Sequence, residues 1–138
     1  AADGRGARRR VRALPGRDGS HVALDLVDEK RIEATIAAMS TDFATRYYDS
    51  SLGKAAAEWL AQQYDALAPL EVELYAHTGW LQPSVVARWP CAAAACVDDA
   101  VVIAGGHIDS IASPDRNNAP GADDDAAGSA VVLEAAPA

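Results

Sequence analysis

The 138-residue sequence has no long apolar run. No segment reaches the eighteen or more consecutive apolar residues of a membrane-spanning helix, so no membrane partner is expected. Positive charge is scarce: 12 Lys and Arg stand against 20 Asp and Glu, a formal net charge of −8. That balance argues against nucleic acid as a partner, because phosphate binding rests on an excess of cations. Cysteine is scarce too, and two residues allow one disulfide or two thiols but no disulfide framework. The start, at Ala1, lacks the apolar core of a signal peptide and reads as a processed chain or a fragment. G-x-S-x-G is missing, which disfavours a serine hydrolase. An EF-hand calcium loop counted from Asp115 fails, because Ala119 and Ala126 occupy positions that need oxygen ligands.

What is present is enough for one domain at most. Half of the residues are hydrophobic, which suffices for a core. Charge is unevenly spread. Residues 1–20 hold Arg5, Arg8, Arg9, Arg10, Arg12 and Arg17 against Asp3 and Asp18, with four glycines. This segment is expected to be a basic disordered terminus, with a pro-segment remnant or an anion-binding tail as the functional readings. The rest, residues 21–138, is more acidic than the total suggests.

The most informative stretch runs from Val101 to Leu133. Val101, Val102 and Ile103 are β-branched and apolar, which suits a strand buried on both faces. Gly105 and Gly106 let the backbone turn where that strand ends. His107 then sits at the carboxyl end of the strand, where open α/β sheets place ligands. Asp109 follows at H-x-D spacing, and a metal-bound imidazole usually gives its second N–H to a carboxylate. Asp123, Asp124 and Asp125 place three like charges side by side, an arrangement that a divalent cation relieves. Each part has a plainer reading. H-x-D is common by chance, and an acidic triplet in a Gly/Pro loop is often a solvated turn or a helix cap.

Taken together, G-G-H-I-D-S, a loop, and A-P-G-A-D-D-D-A-x-G-x-A-V-V-L-E resemble the co-catalytic two-zinc aminopeptidases, the secreted bacterial leucyl aminopeptidase family. Upstream, Thr45-Arg46-Tyr47-Tyr48, then Ser50-Ser51-Leu52-Gly53 and an Ala-rich helix with Trp59-Leu60, resemble a second segment of those enzymes. The departures are Ala127, where the family often has Ser, and the Cys-Ala-Ala-Ala-Ala-Cys insert. The resemblance implies that His107 ligates one zinc, that Asp109 orients its imidazole, and that Asp124 bridges two zinc ions. It implies that Asp125 is joined to Asp124 by a cis peptide. It also implies secretion, and peptide substrates with a free, apolar N-terminal residue such as leucine. The family's later groups are a Glu-Glu pair that includes the general base, another Asp and a final His. After Asp125 this chain has only Glu134, which reads as a helix residue. The expectation is the amino-terminal part of a zinc peptidase catalytic domain, truncated after the first metal-ligand loop, inactive alone and prone to aggregate.

The remaining segments supply the frame. His21 to Val27 reads as a short strand or a linker. Asp28 is a candidate N-cap for a helix to about Met39, with Ile32, Ile36 and Met39 buried and Glu29, Lys30, Arg31 and Glu33 facing water. Ser40 to Ser51 reads as a loop in which Arg46, Tyr47 and Tyr48 either pack or form a substrate wall, packing being favoured. Ser51 can cap a helix from Leu52 to Leu67 with Ala56, Trp59, Leu60 and Tyr64 on its apolar face, ended by Pro69. Glu71 to His77 and Gln82 to Trp89 read as an antiparallel strand pair. His77 reads as a hairpin-end histidine. Cys91 and Cys96 allow a disulfide or two thiols, and a structural zinc is disfavoured because no second Cys/His pair follows. Ala126 to Ala136 starts a helix, and carboxylates at its head suit the helix dipole. The fold class expected is α/β, a mostly parallel mixed sheet flanked by helices with the hairpin at its edge. A fold relative without zinc, a carboxypeptidase and a glutaminyl cyclase are the rival readings.

Overall fold

A computed structural model of the chain describes residues 26–90 and 101–136. The basic start, most of the segment from His21 to Val27, and the Cys91/Cys96 insert lie outside the described residues.

Helix α1 spans Glu29–Thr41. Asp28 caps it: its side chain accepts from Lys30 N–H at 2.9 Å, and Glu29 adds a favourable charge in the first turn. The helix stops where Ser40 and Thr41 turn their hydroxyls back to the carbonyls of Ile36 and Ala37. Met39 is fully buried, whereas Ile32 and Ile36 are half-buried.

Helix α2 spans Ser51–Asp65. Its cap is Ser50 and not Ser51: Ser50 Oγ accepts from Gly53 N–H at 2.9 Å. The buried face is Gly53, Ala56, Ala57, Leu60, Ala61 and Tyr64, and its small residues let neighbouring backbone come close. The helix ends at Asp65, ahead of Pro69.

Strands β1 (Glu71–Tyr75) and β2 (Ser84–Arg88) form an antiparallel pair. The register sets Val72 against Ala87 and Leu74 against Val85, so these four share one face. Both strands pack on α2.

The chain ends its described course in a wide turn, Ala122–Ala126, and helix α3, Ala127–Ala135. Asp124 and Asp125 have non-helical backbone angles inside that turn. Helix α1 packs on both the turn and α3. The molecule is therefore an α/β unit of two packed groups, one of α1 with α3 and one of α2 with the hairpin. The loop around Arg46 runs between them.

A mostly parallel sheet is not formed among the described residues. The sheet is the two-stranded antiparallel pair, with one isolated parallel bridge between Thr45 and Ala119. Val101, Val102 and Ile103 form no strand and are 79%, 96% and 88% exposed. Their composition favours a strand, but a strand exists only through a ladder, and no described neighbour offers one.

Candidate functional site

His107 is held to the head of α3 by its own backbone. Its N–H donates to Asp125 Oδ2 at 3.1 Å, and its carbonyl accepts from Ser129 Oγ at 3.2 Å. Asp125 Oδ1 accepts from Gly128 N–H at 2.8 Å, so one carboxylate caps the helix and docks the histidine segment. Gly106 and Gly128 both stand against that carboxylate, where a Cβ would collide with it. Neither Gly105 nor Gly106 takes a left-handed conformation. The need for glycine at 106 is close approach, not a turn.

The imidazole has a partner on each side. Nδ1 lies 3.0 Å from the Asp109 carbonyl and 3.2 Å from Asp109 Oδ1. Nε2 lies 2.9 Å from Asp124 Oδ1. Burial disfavours the imidazolium, but the carbonyl and carboxylate of Asp109, together with Asp124, outweigh it and raise the His107 pKa above its ordinary value. The structure thus brings His107, Asp109, Asp124 and Asp125 into one cluster, and the Asp124–Asp125 peptide is cis. Asp123 is exposed.

Beneath this cluster lies Arg46, which is fully buried. Its guanidinium donates to the carbonyls of Ile108, Met39, Pro120 and Gly121. Burial pushes its pKa down, and Asp109, Asp125 and Asp124 offset part of that shift. The favoured packing role for Arg46, Tyr47 and Tyr48 divides among the three. Arg46 braces loops. Tyr47 stacks on Tyr48 and lies under Arg116, whose guanidinium carbon is 5.0 Å from the ring centre. Tyr48 lines a cleft.

That cleft, about 530 Å³, has Tyr48, His77 and Trp80 on one side and His107 and Asp109 on the other. Its rings, Tyr48, Trp80 and His77, belong to a longer row that Tyr47 and Tyr75 extend at either end. Centroids are 4.5 Å apart for Tyr47–Tyr48, 5.1 Å for Tyr48–Trp80, 5.2 Å for Trp80–His77 and 5.1 Å for His77–Tyr75. His77 sits at the hairpin end, its Nε2 2.8 Å from Ser84 Oγ.

Three buried polar residues escaped the sequence. Ser110 accepts from Arg46 N–H at 2.9 Å and donates to the Ala119 carbonyl at 2.5 Å. Gln82 donates to the carbonyls of Gly53 and Arg46. Glu134 accepts from Asp28 N–H at 2.8 Å and from Arg31. Single Ser, Gln and Glu residues in mixed surroundings carry no local signal.

The His107–Asp124 pair fits one corner of a zinc site. Imidazole nitrogen and carboxylate oxygen are zinc donors, and a tetrahedral zinc with bonds of about 2.0–2.1 Å holds two donors roughly 3.3 Å apart. The observed 2.9 Å is near that spacing. Asp109 occupies Nδ1, which leaves the Nε2 lone pair for a metal. Among the described residues no third His, Cys, Asp or Glu completes a metal-binding group.

The model of Peptidase family M28 matches residues 84–138. A "Probable leucine aminopeptidase" of Arthroderma benhamiae is 34% identical over 133 residues, 89% of this chain and 35% of that protein. Over residues 84–138 the chain carries the sequence pattern of peptidase family M28. Another relative, "Leucine aminopeptidase 1" of Colletotrichum graminicola, is 39% identical over 69% of this chain and 24% of its own length. The crystal structure of LapB from Legionella pneumophila superimposes with a TM-score of 0.63 at 31% identity, covering 83% of this chain and 31% of that one. The chain thus spans about a third or less of the length of these relatives.

Proposed function

We propose that this chain carries part of the centre of a secreted zinc aminopeptidase, which removes apolar N-terminal residues from peptides. The observation that carries the reading is the imidazole of His107, held through Nδ1 by Asp109 and presenting Nε2 to Asp124 Oδ1. His107 and Asp124 would be metal ligands, Asp124 bridging two zinc ions in a complete catalytic domain on a mostly parallel sheet. The leucine aminopeptidase relatives favour this activity over a cyclase or a carboxypeptidase.

Zinc bound there would polarise the scissile carbonyl and lower the pKa of the attacking water. The chain's own residues do the rest of what can be assigned. Asp109 holds Nδ1, so Nε2 is the nitrogen that a metal would take in exchange for its proton. Asp125 fixes the histidine backbone against α3. Asp109, Asp123 and Asp124 make the site acidic, which attracts the free α-ammonium of a peptide. The aromatic wall of the cleft offers apolar surface for the peptide's side chains. Among the described residues no third donor joins the pair.

The test is zinc quantification on the native protein, with turnover of leucyl substrates whose amine is free or blocked. Bound zinc and cleavage of the free-amine substrate alone are expected. Equal cleavage of both, or a protein without zinc, would overturn the reading.

A further inference from the structure

Among the described residues, Arg46 and Met39 are the largest side chains that are buried completely. A buried guanidinium is costly unless every donor is matched, and here the hydrogen bonds of the guanidinium all end on main-chain carbonyls. Nε–H reaches Ile108 O at 2.8 Å, one residue past His107. Nη2 reaches Gly121 O at 2.8 Å, on the turn that leads to Asp124. Nη1 reaches Pro120 O, and Met39 O at 3.0 Å near the end of α1. A planar fork therefore fastens the histidine segment to the aspartate turn and anchors both on α1.

The backbone repeats the tie. Arg46 N–H donates to Ser110 Oγ, Arg46 O accepts from Ser110 N–H at 3.3 Å, and Ser110 Oγ passes the link to Ala119 O. The two side chains it aligns cannot hold themselves in place by packing, because His107 is 53% and Asp124 88% exposed.

We propose that Arg46 is a positioning residue for the metal pair, setting the separation of His107 and Asp124 by clamping the carbonyls of Ile108 and Gly121. The proposal rests on the metallopeptidase reading for the statement that the pair binds zinc. Lysine keeps the charge but not the function, since one ammonium on a flexible stem cannot reach carbonyls on three separate segments at fixed angles. The charge of Arg46 lies close to Asp109, Asp124 and Asp125, which also eases their mutual repulsion before a metal arrives.

The test uses the full chain with Arg46→Lys, and Ala57→Gly in the buried face of α2 as a control for lost stability. Zinc chloride is titrated by calorimetry, and amide exchange is followed by NMR without metal. Arg46→Lys should weaken zinc binding by about tenfold or more and speed exchange at His107 and Gly128, while α2 amides stay protected. Ala57→Gly should leave zinc affinity unchanged. Parent-like affinity and protection in Arg46→Lys would overturn the proposal, as would an equal loss of affinity in Ala57→Gly. If the parent binds no zinc, exchange at His107 alone decides the clamp: faster in Arg46→Lys supports it, unchanged overturns it, and the metallopeptidase reading is judged separately by zinc in the native protein. If Arg46→Lys does not fold, Ser110→Ala cuts a single strand of the same tie. Weaker zinc binding with faster His107 exchange then supports the clamp, and parent-like values overturn it.

Discussion

Arg31 on α1 grips the carboxylate of Glu134 on α3 across 103 positions of sequence. The two partners are unequal: the Glu134 side chain is 6% exposed and that of Arg31 56%. Removing either one therefore has a different consequence. Arg31→Met leaves a buried carboxylate with only the Asp28 amide and should cost about 2–3 kcal/mol. Glu134→Gln leaves a solvated guanidinium and should cost about 1 kcal/mol. Urea unfolding of both variants checks the order, and a larger loss in Glu134→Gln would refute it.

The same pair gives an acid limb to stability. The hydrogen bonds of Arg31, with the Asp28 amide, hold the Glu134 pKa below the ordinary carboxylate value against the opposing effect of burial. A carboxyl with a lowered folded pKa contributes fully above its unfolded value, about 4.3, and loses the contribution as pH falls through the folded one. The parent should therefore lose stability from about pH 5 downward more steeply than Glu134→Gln. Urea midpoints measured at steps from pH 7 to pH 3 would show parallel curves if the pair were irrelevant.

Gly128 and Gly105 should respond unequally to alanine. A Cβ at Gly128 meets the Asp125 carboxylate, whereas one at Gly105 meets nothing within 4 Å. Gly128→Ala is expected to cost about 2 kcal/mol and to loosen His107. Gly105→Ala should stay within about 0.5 kcal/mol. Thermal unfolding of the two side by side is sufficient, and equal losses would contradict the packing described.

The bare Val101–Val102–Ile103 run should drive self-association. Val102 is 96% exposed, and contiguous exposed apolar surface is an association hazard. Val102→Lys should delay aggregation in light scattering without lowering the unfolding midpoint. Unchanged aggregation would place the sticky surface elsewhere.

Local chemistry was legible in the sequence wherever its partners are local. Asp28 caps α1 because its side chain needs only Lys30, two residues on. His107 and Asp109 meet because H-x-D places them side by side. The hairpin follows from alternation. Ser50 and Ser51 are both able to cap, and spacing alone does not choose between them. Val101 to Ile103 have the composition of a strand but lack a described partner. Arg46 packs among its neighbours as the sequence suggests, but its acceptors are carbonyls, which no residue type encodes. The helical spacing turns Arg31 toward water, which holds for most of its surface but not for the end that grips Glu134.

The row of rings from Tyr47 through Tyr48, Trp80 and His77 to Tyr75 has an optical consequence. Tyrosine emission overlaps tryptophan absorption, so light taken up by Tyr47, Tyr48 and Tyr75 drains into Trp80. Trp80 is 53% exposed on the wall that faces His107. Its fluorescence should shift in colour when a peptide enters the cleft, whether or not a bond is then broken. Arrival of a ligand in the cleft can therefore be followed in an unlabelled protein.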